Sequence, residues 1–361
     1  FRSMNDVTLF NGRLALQQRV LPSYRVAFFD LLASRCTEGL SIYAGKPRSS
    51  EAIQTTESLD VARFWPARNV HILGGPLYLC LQRDIMEWIE DWDPKALIME
   101  ANPRYPSSRR AADWMHAKGR PVIGWGLGAG RSLANWKSFL KRFDALIAYS
   151  GVGAEEYRLT GYPLDRVYIA QNATTGPPAE LRQRKVADIP RVLFVGRLQE
   201  RKRVNMLLRA CSTQRVKPEL WIVGDGPERT YLERMAAKEY PKARFTGHLH
   251  GEELEDIFRQ TDLFVLPGTG GLAVQEAMAH ALPVIVAEAD GSQQDLVNSE
   301  NGWLIPPGDL NALTEALRSA LEHPEKLPQM GAVSHRVVVE RVNIEVMAEV
   351  FIKAIDRAGS R

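Results

Sequence analysis

The sequence predicts two α/β domains, each built on a doubly wound parallel sheet. Three observations predict it. The chain has 361 residues, more than one ordinary core of roughly 150 residues holds. Its composition, 45% hydrophobic and 25% charged, is that of a folded soluble protein rather than a disordered or fibrous one. Its apolar residues fall into short recurring runs that pause once, at a polar segment bearing two prolines.

Taken in order, the runs are VTLF at 7–10, LSIYA at 40–44, KALIME at 95–100, PVIGW at 121–125, DALIAYS at 144–150 and VYIAQN at 167–172. Each is followed by a turn or a helical pattern, as expected of strands covered on both faces by crossover helices. TTGPPAELRQRKVADIP, with Pro177 and Pro178, then interrupts the rhythm as a linker would. The rhythm restarts with RVLFVG at 191–196, ELWIVG at 219–224, ARFTG at 243–247, DLFVLPG at 262–268, PVIVA at 283–287 and GWLIPPG at 302–308. The expected boundaries are 4–173 for the first domain, 174–190 for the linker and 191–335 for the second domain. An amphipathic helix over 336–361 either closes the second domain or crosses back to the first. Phe1–Ser3, ahead of Met4, read as a cloning remnant.

Composition also narrows the function classes. Cys36, Cys80 and Cys211 have no short spacing, which fits a reducing compartment and offers no zinc template. No apolar run reaches the roughly 18–20 residues of a membrane span, and FRSMNDVTLF lacks the pattern of a signal peptide, so a cytoplasmic location is expected. The net charge of +3 is unevenly divided: residues 1–185 hold 25 Lys and Arg against 18 Asp and Glu, while 186–361 hold 21 against 25. The first half should therefore prefer anions: an anionic membrane surface, a phosphate-bearing acceptor, or simply a solvated basic face. With no recognisable reading module, nucleic acid is not an expected partner.

In open parallel sheets ligands bind beyond the carboxyl ends of the strands, so the residues just after each run carry the information. Arg197 and Lys202, in GRLQERK, are two cations leaving one strand and able to converge on a diphosphate. Gly224 to Pro227, in GDGP, are explained by turn chemistry. Thr269, Gly270, Gly271 and Leu272 lead from DLFVLPG into the helical AVQEAMAHA, a glycine-rich strand-to-helix turn whose amides can seat a phosphate. Glu276 lies one turn further along that helix, where it could accept hydrogen bonds from a polyol.

GRLQERK, IVGDGPE, ARFTGHLHGEEL, TDLFVLPG, GGLAVQEAMAHALPVIVAE and NGWLIPPGDLNAL, over about 190–322, resemble the donor-binding domain of retaining GT-B glycosyltransferases of the large family-four group. The resemblance implies a GT-B fold, with two facing doubly wound Rossmann-like domains and an interdomain cleft. It implies that Arg197 and Lys202 neutralise the donor diphosphate and that Gly270, Gly271 and Leu272 hold its phosphate. Glu276 is then the second glutamate of the Glu-x7-Glu motif, binding ribose hydroxyls, and Gly247 to Leu249 read the base. VTLFNGRLALQQRVLPSYRVAFFDLLA resembles the first strand, loop and helix of the other domain, which puts Gly12 beside the diphosphate and leaves Arg19, Tyr24 and Arg25 to shape an acceptor site. Two positions depart from the family. Gly268 stands where the first glutamate of the motif, a donor-sugar contact, belongs, and Gly126 or Leu127 stands where many members carry a histidine. Glu100, Asn102 and Arg104, in MEANPRYP, are the remaining polar candidates near the reacting centre, with Glu100 taken as the catalytic candidate.

The implied activity is transfer of a sugar, with retention, from a nucleotide diphosphate sugar, UDP favoured, to a glycan, glycolipid or lipid-linked acceptor, as in polysaccharide biosynthesis. No cofactor is implied. No metal is expected, because the two cations occupy the electrostatic place of a divalent ion; Asp91 and Asp93, in EDWDPK, read as a helix end and loop. Peripheral contact with the inner membrane leaflet would suit a lipid-linked acceptor. Rival readings are a GT-B nucleotide-sugar 2-epimerase and a non-catalytic nucleotide-sugar-binding partner of an active transferase. A Rossmann dehydrogenase, suggested by Gly126, Gly128 and Gly130, is disfavoured because Arg131 replaces the third glycine of the fingerprint and the turn follows a late strand.

Overall fold

The computed structural model describes residues 8–51, 53–130, 133–178 and 187–360. Phe1–Ser3, Met4, Arg131 and residues 179–186 of the expected linker lie outside the described residues. The chain forms two compact units, Phe1–Gly176 with Asn343–Arg361, and Pro177–Val342.

The first unit contains β1 (Leu14–Val20), α1 (Val26–Ser34), β2 (Leu40–Gly45), β3 (Arg63–Ala67), β4 (Asn69–Ile72), β5 (Leu79–Gln82), α2 (Ile85–Trp92), β6 (Ala96–Glu100), α3 (Ser108–Ala117), β7 (Val122–Gly126), α4 (Leu133–Leu140), β8 (Ala145–Ala148), α5 (Gly151–Leu159) and β9 (Val167–Ile169). Seven strands make one sheet in the order β3-β2-β1-β6-β7-β8-β9, parallel throughout, and β4 and β5 form a separate antiparallel pair. The strand order reverses between β1 and β6, so the residues following those two strands flank a crevice at the carboxyl edge.

The first strand is not VTLF. Phe10 makes only an isolated bridge to Cys36, and the strand is LALQQRV, whose polar residues hid it. Gln17 and Gln18 are nonetheless buried. Gln17 Nε2 donates to Gln82 Oε1 at 2.5 Å and its Oε1 accepts from the Glu100 N–H at 3.1 Å, so the strand can carry amides inside the sheet. This shift overturns the expected role of Gly12. It precedes β1 and packs against the Lys95 side chain, at the amino edge of the sheet, whereas ligands bind at the carboxyl edge.

The second unit contains β10 (Arg191–Val195), α6 (Val204–Thr213), β11 (Glu219–Val223), α7 (Arg229–Glu239), β12 (Arg244–Gly247), α8 (Gly251–Gln260), β13 (Leu263–Leu266), α9 (Leu272–Ala279), β14 (Val284–Ala287), α10 (Ser292–Leu296), β15 (Gly302–Ile305), α11 (Leu310–Glu322) and α12 (Leu327–Arg341). Its six strands run parallel in the order β12-β11-β10-β13-β14-β15, and the order reverses between β10 and β13. The core mixes aliphatic and aromatic side chains, with Leu193, Phe194, Ile222, Phe264 and Val286 fully buried.

The expected single helix over 336–361 is two helices. α12 runs to Arg341 and buries Leu327, Gly331, Ser334 and Val338 in the second unit, which therefore extends past 335. Asn343 then caps α13 (Ile344–Gly359), its Oδ1 accepting from the N–H groups of Glu345 and Val346 at 3.1 and 3.0 Å. Asn343–Arg361 belongs to the first unit, where Phe351 packs its ring against Phe28 and Trp125 at centroid distances of 5.0 and 4.9 Å. Among the described residues no helix is long and apolar enough to cross a membrane. The three cysteines are buried free thiols.

Candidate functional site

In the second unit the β10–β13 switch point gathers the cations and the glycine loop. Leu198, fully buried, anchors the segment after β10: its N–H donates to the Asp225 carbonyl at 2.9 Å and its carbonyl accepts from the Glu228 N–H at 3.1 Å. Arg197 is thereby left exposed beside the strand end. A single turn of 3-10 helix, Glu200–Lys202, then brings the chain against the segment after β13. Lys202 Nζ donates to the Thr269 carbonyl at 2.6 Å, Arg201 Nη1 to Thr269 Oγ1 at 3.1 Å, and the Thr269 N–H to the Arg201 carbonyl at 3.1 Å. Burial, with the charge of Arg201 adding, pulls the Lys202 ammonium down to about 8. A half-buried cation whose partner is a neutral carbonyl gains from any anion brought to it.

The glycines of this loop are set by space. A side chain at Gly268 would run into the Arg201 carbonyl and lie 2.6 Å from Lys202 Cα. The carboxylate that the family resemblance expects at this position therefore has no room, because backbone fills its place. Gly270 holds φ +148°, and a Cβ there would stand 2.5 Å from Lys202 Nζ. α9 begins at Leu272, so its unsatisfied amides and its positive dipole end lie directly after this loop. Glu276 lies one turn along α9, where burial, with the charge of Glu255 adding, pushes its carboxyl up to about 7.

Gly247 ends β12 with φ +76°, its carbonyl accepting from the Gly224 N–H at 2.7 Å. Leu249 follows, half-buried against the core. Arg197, Lys202, Gly247, Leu249, Gly270, Gly271, Leu272 and Glu276 thus all follow carboxyl strand ends of one sheet, and Lys202 and Gly270 come together. Arg201 and Gln293 share the site without having been singled out, and Thr269, read as part of the turn, joins it through its hydroxyl and backbone. A buried amide and a second arginine of GRLQERK give no periodic signal, and only the fold brings them there.

The first unit builds its switch point from buried side chains. Glu100 ends β6, its Oε2 buried with no partner among the described residues. Burial pushes its carboxyl up to about 7 against the opposing charges of Arg19 and Arg25. Arg25, 7% exposed, lies over the Trp125 ring at 4.3 Å and donates to Tyr149 Oη at 3.0 Å. Arg19 pairs with Glu51 at 2.7 Å, and Tyr24 is exposed. Asn102 and Arg104 take turn roles, Asn102 Oδ1 accepting from the Arg104 N–H at 3.1 Å.

Gly126 has no space for the histidine of the family pattern, since a Cβ would stand 2.8 Å from Tyr157 Oη and 3.2 Å from Ala101 Cβ. Leu127 is exposed. Asp93 caps α2 at the amino edge of the sheet and pairs with Arg120 and Lys118 at 2.6 and 3.0 Å, which holds its carboxyl down to about 2. Asp91, in the last turn of α2, lies 3.8 Å from Arg63.

Two Rossmann-like α/β domains, the second with cations and a glycine loop at its switch point, define the architectural class of the protein. Residues 189–323 match the family model described as Glycosyl transferases group 1. It is 44% identical over 133 residues to a GDP-mannose-dependent alpha-mannosyltransferase of Corynebacterium glutamicum, covering 36% of this chain and 30% of that protein. It is 23% identical over 226 residues to the lipopolysaccharide core biosynthesis glycosyltransferase LpsE of Rhizobium meliloti, covering 60% of this chain and 66% of the relative. The matched stretch thus spans about three tenths of the first of these relatives. Among solved structures, Anabaena Alr3699/HepE in complex with UDP has a TM-score of 0.70 at 15% identity, covering 95% of this chain and 99% of that one, a likeness of fold. The fold is GT-B.

Proposed function

We propose that the protein is a retaining glycosyltransferase that moves a sugar from a nucleoside diphosphate sugar to a glycan, glycolipid or lipid-linked acceptor without a metal. The reading is carried by the joining of Lys202 to the Thr269–Gly271 loop at the switch point of the family-matched segment. The leaving group is a nucleoside diphosphate. Its departure places negative charge beside Arg197, Lys202 and the amino end of α9, and stabilising that charge is the main task of the protein. The bond from the anomeric carbon to the phosphate oxygen breaks, the acceptor oxygen bonds to the same face, and the leaving oxygen takes the acceptor proton. No protein nucleophile is required. Glu276 accepts from ribose hydroxyls, and Gly247 to Leu249 meet the base. Glu100, a carboxyl that titrates near neutrality after β6, is the group of the first unit assigned to the acceptor hydroxyl.

UDP is the expected nucleotide on family frequency, while the identity to a GDP-mannose-dependent relative over the donor segment favours GDP. The excess of cations in the first half supports peripheral contact with an anionic membrane surface on the cytoplasmic side. Incubation of the purified chain with UDP- and GDP-sugars and an acceptor pool tests the activity, with the anomeric configuration of the product read by NMR. A product of inverted configuration would refute retention, and a released epimeric sugar formed without acceptor would refute transfer.

A further inference from the structure

Gln293 lies in α10, after β14, and is fully buried. Its Nε2 reaches across to donate to the Gly270 carbonyl at 2.8 Å, while its Oε1 has no partner among the described residues. Burying an amide with one polar atom unmet is costly, and an aliphatic side chain would fill the same volume without that cost. The single hydrogen bond made is into the glycine loop. Ser292 and Asp290 do not share it: Ser292 Oγ donates to Asp290 Oδ1 at 2.6 Å.

That bond has a geometric consequence. In a trans peptide the N–H points opposite to the C=O of the same unit. Holding the Gly270 carbonyl toward Gln293 turns the Gly271 N–H the other way. The peptide lies between two glycines, so it has little intrinsic preference of its own and needs an external hold to keep one orientation. The preceding carbonyl, that of Thr269, is held by Lys202 Nζ. Two successive carbonyls of the loop are thus fixed by side chains from two other segments, the 3-10 turn after β10 and α10.

We propose that Gln293 is a positioning residue for phosphate binding: by holding the Gly270 carbonyl it presents the Gly271 N–H, and with it the amino end of α9, to the diphosphate of a nucleotide. This role rests on the donor reading above. It acts through the loop and not by touching the nucleoside, which separates it from a purely structural role.

The test uses Gln293→Met, which keeps the volume and removes the donor, and Gln293→Asn, which keeps the amide and removes its reach. Affinities for UDP and GDP are measured by calorimetry, those for uridine and guanosine by ligand-observed NMR, with the melting temperature alongside. Both variants should lose about tenfold in affinity for the nucleoside diphosphate and keep nucleoside affinity within about twofold. If either variant fails to fold, the other carries the comparison. Unchanged diphosphate affinity, or equal loss for diphosphate and nucleoside, would overturn the positioning role alone. A wild-type chain that binds neither UDP nor GDP would overturn the donor reading itself, and this role with it.

Discussion

The switch points of the two units are made of different material. In the second unit the crevice between β10 and β13 is built from backbone: Gly268 with no room for a Cβ, amides opening a helix, and Lys202 tied to the Thr269 carbonyl. In the first unit the crevice between β1 and β6 is built from side chains: Gln17 and Gln82 inside the sheet, Arg25 over Trp125, and Glu100 with a buried, unpartnered oxygen. A phosphate is the same in every nucleotide and can be held by backbone, whose groups every sequence has. In the reading proposed above, the second unit's backbone holds the phosphate and the first unit's side chains recognise the acceptor.

The largest effect that would break this contrast is electrostatic. At about 4 Å and an effective dielectric near 20, one cation contributes roughly 4 kcal/mol to a developing charge before desolvation. Lys202→Ala and Arg197→Ala should each lower the initial rate at saturating donor on the order of a thousandfold. Near-normal rates would remove the assigned role.

Next comes the backbone itself. Gly268→Glu restores the family residue by letter, but it drives a side chain into the Arg201–Lys202 backbone. Thermal unfolding should show a loss of about 2–4 kcal/mol together with loss of nucleotide binding. A stable variant with improved turnover would contradict the packing account.

The third test is titration. Lys202 carries its charge below about 8 and Glu276 above about 7. For the free enzyme, kcat/KM should therefore fall on both sides of a narrow maximum between those values. Glu276→Gln should weaken nucleotide binding about tenfold and flatten the acidic limb, leaving the share that Glu100 contributes. The same substitution should raise stability at pH 8. The folded-state pKa of Glu276 lies above its unfolded value of 4.5, so its penalty grows as pH rises from 4.5 to 7 and is complete above 7, on the order of 3 kcal/mol. Denaturant unfolding at pH 5 and pH 8 reads the difference.

Smaller effects sharpen the first unit's side of the comparison. Glu100→Gln should raise the melting temperature at pH 8 by a few degrees for the same reason, while nucleotide affinity stays unchanged. Gly12→Ala should cost about 1 kcal/mol through its positive φ and the Lys95 contact, again with no effect on nucleotide affinity. A donor-binding defect in Gly12→Ala would return that residue to the site.

The contrast also explains what could be read in advance. The strands of the second unit are short aliphatic runs closed by glycine, and RVLFVG, DLFVLPG and PVIVA name both the strand and the loop that follows. In the first unit LALQQRV hides a central strand, because the Gln17 amide is satisfied by residues 65 and 83 positions away. The nearby apolar VTLF drew the reading one loop too early, and Gly12 with it. The edge strand RFWPA and the β4–β5 pair, half-exposed and without aliphatic runs, gave no pattern. Arg197, Lys202, the Gly270 loop and Glu276 were legible as chemistry at strand ends, whereas Gln293 was not, since its partner lies on another loop of the folded sheet.

Calorimetric titration of UDP and GDP into the purified chain at pH 7.5, repeated on Lys202→Ala, most directly tests the claim that the second unit binds a nucleoside diphosphate at the β10–β13 switch point. One nucleotide should bind selectively to the wild-type chain, and Lys202→Ala should weaken that binding by tenfold or more. Absence of binding by either nucleotide, or equal binding to both proteins, would contradict it.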